Sequence, residues 1–144
     1  MSFAIDANVL LYASDASSTF HDSATAFLHT CAEGPELVYL TWPTVMAYLR
    51  IATHPAIFEH PLSPGEAAAN IESLMRGAHV RTITEQEGFW AVYREVTEDI
   101  AVRGNLVPDA HLAALLLQNG VVTLWTHDRD FLKFPGIRVR DPFA

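Results

Sequence analysis

The sequence contains a single cysteine, Cys31, among its 144 residues. One cysteine excludes an intramolecular disulfide and a zinc site built on cysteine thiolates, and it suits a reducing compartment. Basic residues are also scarce, because 9 Lys and Arg stand against 17 Asp and Glu, which gives a formal net charge of −8. Proteins that hold nucleic acid by charge alone are usually basic. A polyanionic partner would therefore need local arginines, a metal ion or a basic second protein.

Long apolar segments and linkers are missing as well. The apolar run at residues 113–117, which Leu112 extends by one residue, ends at Gln118 and is too short to cross a membrane. The N-terminus has no basic segment and carries an early acid, Asp6, so we predict no signal peptide and a cytoplasmic protein. A hydrophobic content of 50% excludes a disordered chain. Without a linker or repeat, we predict a single domain over residues 1–144.

Short apolar runs alternate with amphipathic stretches along the chain. The pattern predicts strands at residues 3–5, 37–40, 80–83, 121–125 and 137–139. It predicts helical segments at residues 8–13, 19–32, 43–53, 63–77, 85–102, 108–118 and 130–134. Ser17, Ser18 or Thr19 is available to cap the second of these, and Ser63 with Glu66 forms a capping box for the fourth. This alternation predicts an α/β fold with a mainly parallel four- to five-stranded sheet flanked by helices.

Three aspartates stand at positions where such a sheet collects chemistry. Asp6 directly follows the first predicted strand, Asp128 follows the fourth, and Asp109 lies in the first turn of the helix before that fourth strand. Taken singly, each has an ordinary explanation, because Asp6 and Asp128 could cap the next helical segment and Asp109 could complement a helix dipole. Ligands of open α/β sheets, however, bind beyond the carboxyl ends of the strands, near the point where the strand order reverses.

The three carboxylates would share one site if the first and fourth strands are neighbours. Grouped carboxylates repel one another and are tolerated when a hard cation lies between them. Mg²⁺ prefers oxygen ligands and bridges to substrate phosphates, so the group suits metal-assisted hydrolysis of a phosphodiester. Before the order of the strands in the sheet is known, the residues alone therefore favour a Mg²⁺ site at Asp6, Asp109 and Asp128.

Several segments around these acids resemble the PIN domain and, more narrowly, the VapC ribonuclease toxins of type II toxin–antitoxin modules. The segments are residues 6–12 (DANVLLY), 103–114 (RGNLVPDAHLAA) and 126–131 (THDRDF). Residues 42–43 (WP), 48–55 (YLRIATHP) and 134–137 (FPGI) resemble one VapC subgroup. The resemblance covers essentially the whole chain, and the motifs are specific in combination and not singly.

The resemblance implies a PIN fold and a Mg²⁺-dependent endoribonuclease in which Mn²⁺ can substitute. It implies a structured RNA substrate (tRNA or rRNA), inhibition by a VapB antitoxin whose inserted arginine would neutralise the carboxylates, and a homodimer. It carries the acidic ligands onto Asp6, Asp109 and Asp128. Asn8 and Thr126 fall where the family often has polar residues near the metal, and Asp130 is an extra acid.

One position departs from the family pattern. Most PIN nucleases carry a glutamate in the helix after the second strand, and here that position is interpreted as Tyr48, which offers no negative oxygen at neutral pH. The departure leaves one-metal catalysis or a second ion recruited by the RNA. It also supports an alternative function, a catalytically weak PIN-like protein that engages antitoxin or RNA without efficient cleavage.

The predicted mechanism is hydrolysis by water, which would leave 5′-phosphate and 3′-hydroxyl ends. Asp128 or Asp130 would orient the water as general base. The candidate phosphate contacts are Arg129, Arg103, Arg50 and Lys133. A receiver-type phosphoacceptor domain also gathers acids and Mg²⁺ at strand ends. It normally has an acid pair after the first strand and a lysine after the last, and this sequence has neither.

Overall fold

The computed structural model describes residues 2–144 and contains one sheet of five strands in the order β3-β2-β1-β4-β5. All four neighbouring pairs are parallel. The strands are β1 (Ser2–Ile5), β2 (Leu37–Thr41), β3 (Val80–Ile83), β4 (Thr123–Trp125) and β5 (Arg138–Arg140). The predicted α/β fold with a parallel sheet is confirmed.

Six α-helices and one short 3₁₀ helix connect the strands. They are α1 (Ala7–Ser14), α2 (His21–Glu33), α3 (Trp42–Ala52), α4 (Pro64–Met75), α5 (Phe89–Val96), α6 (Leu106–Gln118) and the 3₁₀ helix Arg129–Lys133. Helix α4 begins with the predicted capping box, in which the Ser63 hydroxyl accepts from the Glu66 amide and the Glu66 carboxylate accepts from the Ser63 amide. No helix in residues 2–144 combines the length and the apolar character that a membrane span requires.

Alternating side chains of the strands divide the core between the two faces of the sheet. Phe3 and Ile5 of β1 pack on one face with the apolar sides of α1, α3 and α4, and half-buried residues of α2 pack against this cluster. Ala4 of β1 and Leu124 of β4 pack on the other face with α6 and the 3₁₀ helix. Both faces of the sheet are therefore covered, as a parallel sheet requires.

The strand order reverses between β1 and β4. From β1 the chain proceeds to β2 and β3 on one side, and it then crosses back by α5 and α6 to place β4 on the other side of β1. Ala4 and Ile5 pair with Leu124 and Trp125. The residues that follow β1 and β4 consequently meet at the same edge, which is the topological switch point that the sequence left undetermined.

The long helix predicted at residues 85–102 is wrong in extent, because α5 occupies only Phe89–Val96. Gly88 precedes it with φ 82°, a left-handed conformation that does not continue a helix. Before Gly88, the Gln86 amide donates to the side-chain oxygen of Gln118 in α6 and makes no hydrogen bond within a helix there. The apolar period still predicted the packing, because Tyr93 and Ile100 contact the core.

The predicted caps of α2 are also wrong. The helix begins at His21 after Phe20, and no side chain caps it. The Ser18 hydroxyl instead accepts from the Phe20 amide, one residue before the helix. The predicted stop is confirmed, because Gly34 is the C-cap and its amide donates to the Thr30 carbonyl.

Candidate metal centre

Three predicted acids reach one edge of the sheet from three different elements. Asp6 follows β1 and is the N-cap of α1. Asp128 follows β4 and is the N-cap of the 3₁₀ helix. Asp109 lies in the first turn of α6, the helix that leads into β4. The capping interpretation and the site interpretation are therefore compatible, because a capping carboxylate keeps lone pairs that point out of the helix.

Thr126 joins the loops that follow the two strands. Its buried hydroxyl donates to Oδ2 of Asp6 at 2.8 Å and accepts from Nδ2 of Asn8 at 3.1 Å and from the Asp128 amide at 3.0 Å. One donor and two lone pairs are all that a hydroxyl has, so this group is fully used. The other oxygen of Asp6 accepts from the Ala7 amide at 2.8 Å. The predicted polar residues Asn8 and Thr126 thus fix the Asp6 carboxylate.

Three carboxyl groups form a cluster with ligand-like spacing. Asp109, Asp128 and Asp130 each offer one oxygen, and these oxygens lie within 4.8 Å of one another. The Asp130 amide also donates to Oδ1 of Asp128 at 2.9 Å, which fixes the loop between them. Asp130, predicted only as an accessory residue, therefore stands in the group itself. The D-x-D spacing at residues 128–130 marks Asp130 as an extra acid, but spacing alone does not place its carboxylate beside Asp109.

The pKa values of two carboxyl groups at this edge, Asp109 and Asp6, are raised by burial and by neighbouring negative charge. Burial, followed by the charges of Asp128, Asp6 and Asp130, raises the pKa of Asp109 to about 7. Burial raises the pKa of Asp6 as well, with a further contribution from Asp128, although the hydrogen bonds from Thr126 and Ala7 oppose the shift. The site therefore holds more negative charge than its surroundings neutralise.

This arrangement fits a hard divalent cation. The donors are carboxylate oxygens without sulfur or imidazole among them, which is the ligand class of Mg²⁺ and Mn²⁺. A cation would also relieve the repulsion that raises the pKa of Asp109. The only protein cation within 4.0 Å of these carboxylates, among residues 2–144, is Lys133, whose Nζ lies 3.4 Å from Asp130.

The three arginines predicted as phosphate contacts are all exposed. Arg129 lies in the 3₁₀ helix between two of the acids, Arg103 precedes α6, and Arg50 lies in the last turn of α3. Within residues 2–144, none of the three is within 4.0 Å of a carboxylate oxygen. Their guanidinium groups are therefore available to a phosphate, which stays a prediction. Lys133 is partly occupied by Asp130.

Tyr48, interpreted from the sequence as the missing glutamate position, belongs to the core. Its side chain is 1% exposed, and its hydroxyl bonds to the Ser14 hydroxyl at 2.7 Å and accepts from Nδ2 of Asn70 at 3.0 Å. Helix α3 contains no Asp or Glu at any position. The helix after β2 therefore adds no carboxylate to the metal centre, and the acidic set comes from Asp6, Asp109 and the segment 128–130.

We expect Tyr48→Phe to lower stability and leave the metal centre intact. Two hydrogen bonds of the hydroxyl disappear, which should reduce the free energy of unfolding by about 1–2 kcal/mol. Urea unfolding measures this loss, with Tyr39→Phe as the control because no hydrogen bond of its hydroxyl is found in residues 2–144. A large loss of Mn²⁺ affinity in a folded Tyr48→Phe protein would contradict the placement of this residue in the core.

The two histidines nearest the acids in sequence are turned away from them. His127 bonds through Nδ1 to Asp141 at 2.9 Å, and its ring packs on Phe20 with centroids 4.7 Å apart. His111 pairs through Nε2 with Glu85. Each of these histidines is therefore bonded to a carboxylate outside the group formed by Asp109, Asp128 and Asp130.

The sequence matches no family model, but it is similar to proteins named as VapC ribonucleases. It is 50% identical over 144 residues to Ribonuclease VapC48 of Mycobacterium tuberculosis, which covers 100% of this chain and 99% of that protein. It is 30% identical over 138 residues to Ribonuclease VapC43 of the same organism, covering 96% and 93% of the two chains.

Solved structures share the fold. The chain aligns with VapBC2 from Rickettsia felis, solved on a fragment of promoter DNA, with a TM-score of 0.71 and 14% identity over 98% of both chains. It aligns with VapC20 of Mycobacterium tuberculosis, a Sarcin-Ricin loop cleaving toxin, with a TM-score of 0.65 and 16% identity over 90% and 92%. The fold class is thus that of the PIN domain. At 50% and 30% identity over almost the full chain, the protein belongs to the VapC family of PIN-domain ribonucleases.

Proposed function

We propose that the protein is a metal-dependent endoribonuclease that cleaves structured cellular RNA, tRNA or rRNA, as the toxin of a toxin–antitoxin pair. The observation that carries this proposal is the carboxylate group at the switch point, in which burial, followed by the neighbouring negative charges, raises the pKa of Asp109 to about 7. The ribonuclease relatives support the reaction class. The alternative of a binding protein without efficient cleavage is not favoured, because a degenerate domain has no need to keep this strained acidic group.

The residues at the edge divide the work between holding a cation and handling water. Asp109 and Asp128 would hold Mg²⁺ or Mn²⁺ together with Asp6, with Asp130 as a fourth carboxylate. When bound, the ion supplies charge neutralisation at the scissile phosphate and lowers the pKa of water. Oδ1 of Asp128 accepts from the Asp130 amide, which leaves Oδ2 free to take the proton of the attacking water. Attack by water on the phosphorus, with the 3′ oxygen as the leaving group, would leave 5′-phosphate and 3′-hydroxyl ends.

The partner of such a toxin is a VapB-type antitoxin. Solved structures with this fold include VapBC complexes, and an acidic centre with few nearby cations is complementary to an inserted arginine. We also propose a homodimer and a cytoplasmic site of action, where cellular RNA and the reducing conditions suited to one cysteine coincide.

Cleavage of total cellular RNA tests the proposed reaction. Purified protein is incubated with Mg²⁺, with Mn²⁺ and with EDTA, and Asp6→Asn is run beside it as the contamination control. We expect discrete fragments that require metal and disappear in the variant, and the sequenced ends identify the target. If no RNA in the pool is cut although Mn²⁺ binds, the proposal of tRNA or rRNA as substrate is wrong.

Thr126→Val is expected to weaken metal binding without unfolding the protein. The change removes the hydroxyl that donates to Asp6 and accepts from Asn8 and Asp128. Loss of a residue that orients a ligand typically costs about 10–100-fold in metal affinity, which calorimetric titration with Mn²⁺ measures. Thr123→Val is the matched control, because Thr123 is buried on β4, three residues before Thr126, and has no side-chain hydrogen bond within residues 2–144. Equal Mn²⁺ affinity in both variants would exclude a positioning role.

A further inference from the structure

The face of the sheet that α1, α2, α3 and α4 cover is left partly open over β4 and β5. On these strands Leu124 and Val139 turn to the opposite face and pack in the core. Side chains alternate along a strand, and the register pairs Thr123 with Arg138 and Trp125 with Arg140. These four residues, called here the arginine face, therefore share one side of the sheet at its β5 edge.

The two arginines of this face lack acidic partners. Arg138 and Arg140 are exposed, and within residues 2–144 neither has a carboxylate oxygen within 4.0 Å. The nearest acid in sequence, Asp141, is bonded to His127 instead. They are two of only nine basic residues in a chain of net charge −8, and both stand on one three-residue strand.

Aromatic surface adjoins these charges. The guanidinium carbon of Arg140 lies 5.9 Å from the centre of the half-buried Trp125 ring. A cleft of about 390 Å³ opens beside them and is lined further by Phe27 of α2 and Pro35. Glu36 also lines this cleft, so its charge is mixed, while the arginines at the strand edge carry the positive charge.

The arginine face is continuous with the metal centre through the backbone. The Thr126 amide donates to the Arg140 carbonyl at 2.8 Å, and the Thr126 hydroxyl donates to Asp6. Neighbouring strands are spaced by only about 4.8 Å. An RNA strand that reaches the acids at the end of β4 can therefore continue over the end of β5 within a few nucleotides.

We propose that the arginine face is an accessory RNA-binding surface, in which Arg138 and Arg140 contact backbone phosphates and Trp125 offers a ring edge to a base. It rests on the proposed ribonuclease function, because a protein of net charge −8 must concentrate positive charge where a polyanion lies. Arginine beside an aromatic ring suits a nucleotide, which combines phosphate with a stacking base. An acidic protein segment would use the charges without the ring.

A double variant with a charge-matched control tests the surface. Arg138→Gln/Arg140→Gln is compared with Arg76→Gln/Arg81→Gln, which removes the same charge from exposed residues on and before β3, at the opposite edge. Binding of fluorescein-labelled bulk tRNA is measured in EDTA, so that no RNA is cut. We expect roughly tenfold weaker binding near 0.1 M salt and a salt slope smaller by about 1.5 for the first variant. The control should retain both values.

Two further outcomes would overturn the proposal. Equal weakening in both double variants would mean a net-charge effect without a site. If the Arg138→Gln/Arg140→Gln protein lost binding to poly-L-glutamate and kept its binding to tRNA, the arginine face would instead be assigned to an acidic protein segment. Because these titrations use no metal, their failure is separate from that of the proposed reaction, which total-RNA cleavage by the wild-type protein tests.

Discussion

Asp109→Asn is expected to reduce RNA cleavage by a factor on the order of 10²–10³, because a carboxylate ligand contributes several kcal/mol to a metal-assisted transition state.

The same change should stabilise the metal-free protein. The folded-state pKa of Asp109 is about 7, against the ordinary value of 3.8 for an aspartate. Its ionised form is therefore disfavoured by folding, and the penalty is complete above pH 7. An uncharged amide escapes it, and after discounting for partial exposure we expect a gain of about 1–2 kcal/mol at pH 8.

The two readouts together separate a site residue from a structural one. Cleavage is measured with Mg²⁺ on total RNA, and thermal unfolding is measured in EDTA. Asp99→Asn is the control, because Asp99 is exposed and belongs to no acidic group of this edge. If Asp109 had only a structural role, its substitution would lower the thermal stability of the protein. A variant that is both less stable than wild type and fully active would remove Asp109 from the metal centre.

Mn²⁺ affinity is expected to rise steeply as the pH increases through about 7. Below this pH Asp109 is protonated in the metal-free protein, because burial and the charges of Asp128, Asp6 and Asp130 hold its pKa near 7. A cation binds the ionised form and must displace this proton. Between pH 6 and pH 8 the apparent affinity should therefore increase by about tenfold, with close to one proton released per ion at pH 6.

Calorimetry in buffers of different ionisation enthalpy measures that proton release. In Asp109→Asn the remaining binding should lose most of its dependence on pH between 6 and 8, which identifies the titrating group. An unchanged pH dependence in the variant would place the titration elsewhere. A wild-type Mn²⁺ affinity that is constant between pH 6 and pH 8 would also contradict the assignment of this titration to Asp109.

The sequence points to Asp6, Asp109 and Asp128 because each stands at a strand or helix boundary that local patterns reveal. Asp6 ends an apolar run, Asp109 follows Pro108 in a first helical turn, and Asp128 precedes a short apolar helical turn. It could not predict their proximity, since this depends on whether β4 pairs with β1. Strand order is a long-range choice that local periodicity does not encode.

Errors of prediction occurred where tertiary contacts override local preference. Residues 85–88 continue the helical pattern, but Gly88 adopts φ 82° and Gln118 bonds the Gln86 amide, so α5 begins only at Phe89. Asp130 was predicted as accessory because spacing alone does not show that a 3₁₀ helix turns its carboxylate toward Asp109. Local pattern also does not show that Tyr48, which is interpreted as standing at the usual glutamate position, is buried in the core.

The sequence by itself determined the α/β class, the positions of most elements and the carboxylates available for a cation. These properties depend on apolar period, capping residues and side-chain chemistry, which act over a few residues. The tertiary structure alone decided that Asp109, Asp128 and Asp130 share one group beside Asp6, and that Arg138 and Arg140 remain without acidic partners. Electrostatic energies depend on distance and burial, and both are set only when strands from distant parts of the chain pair.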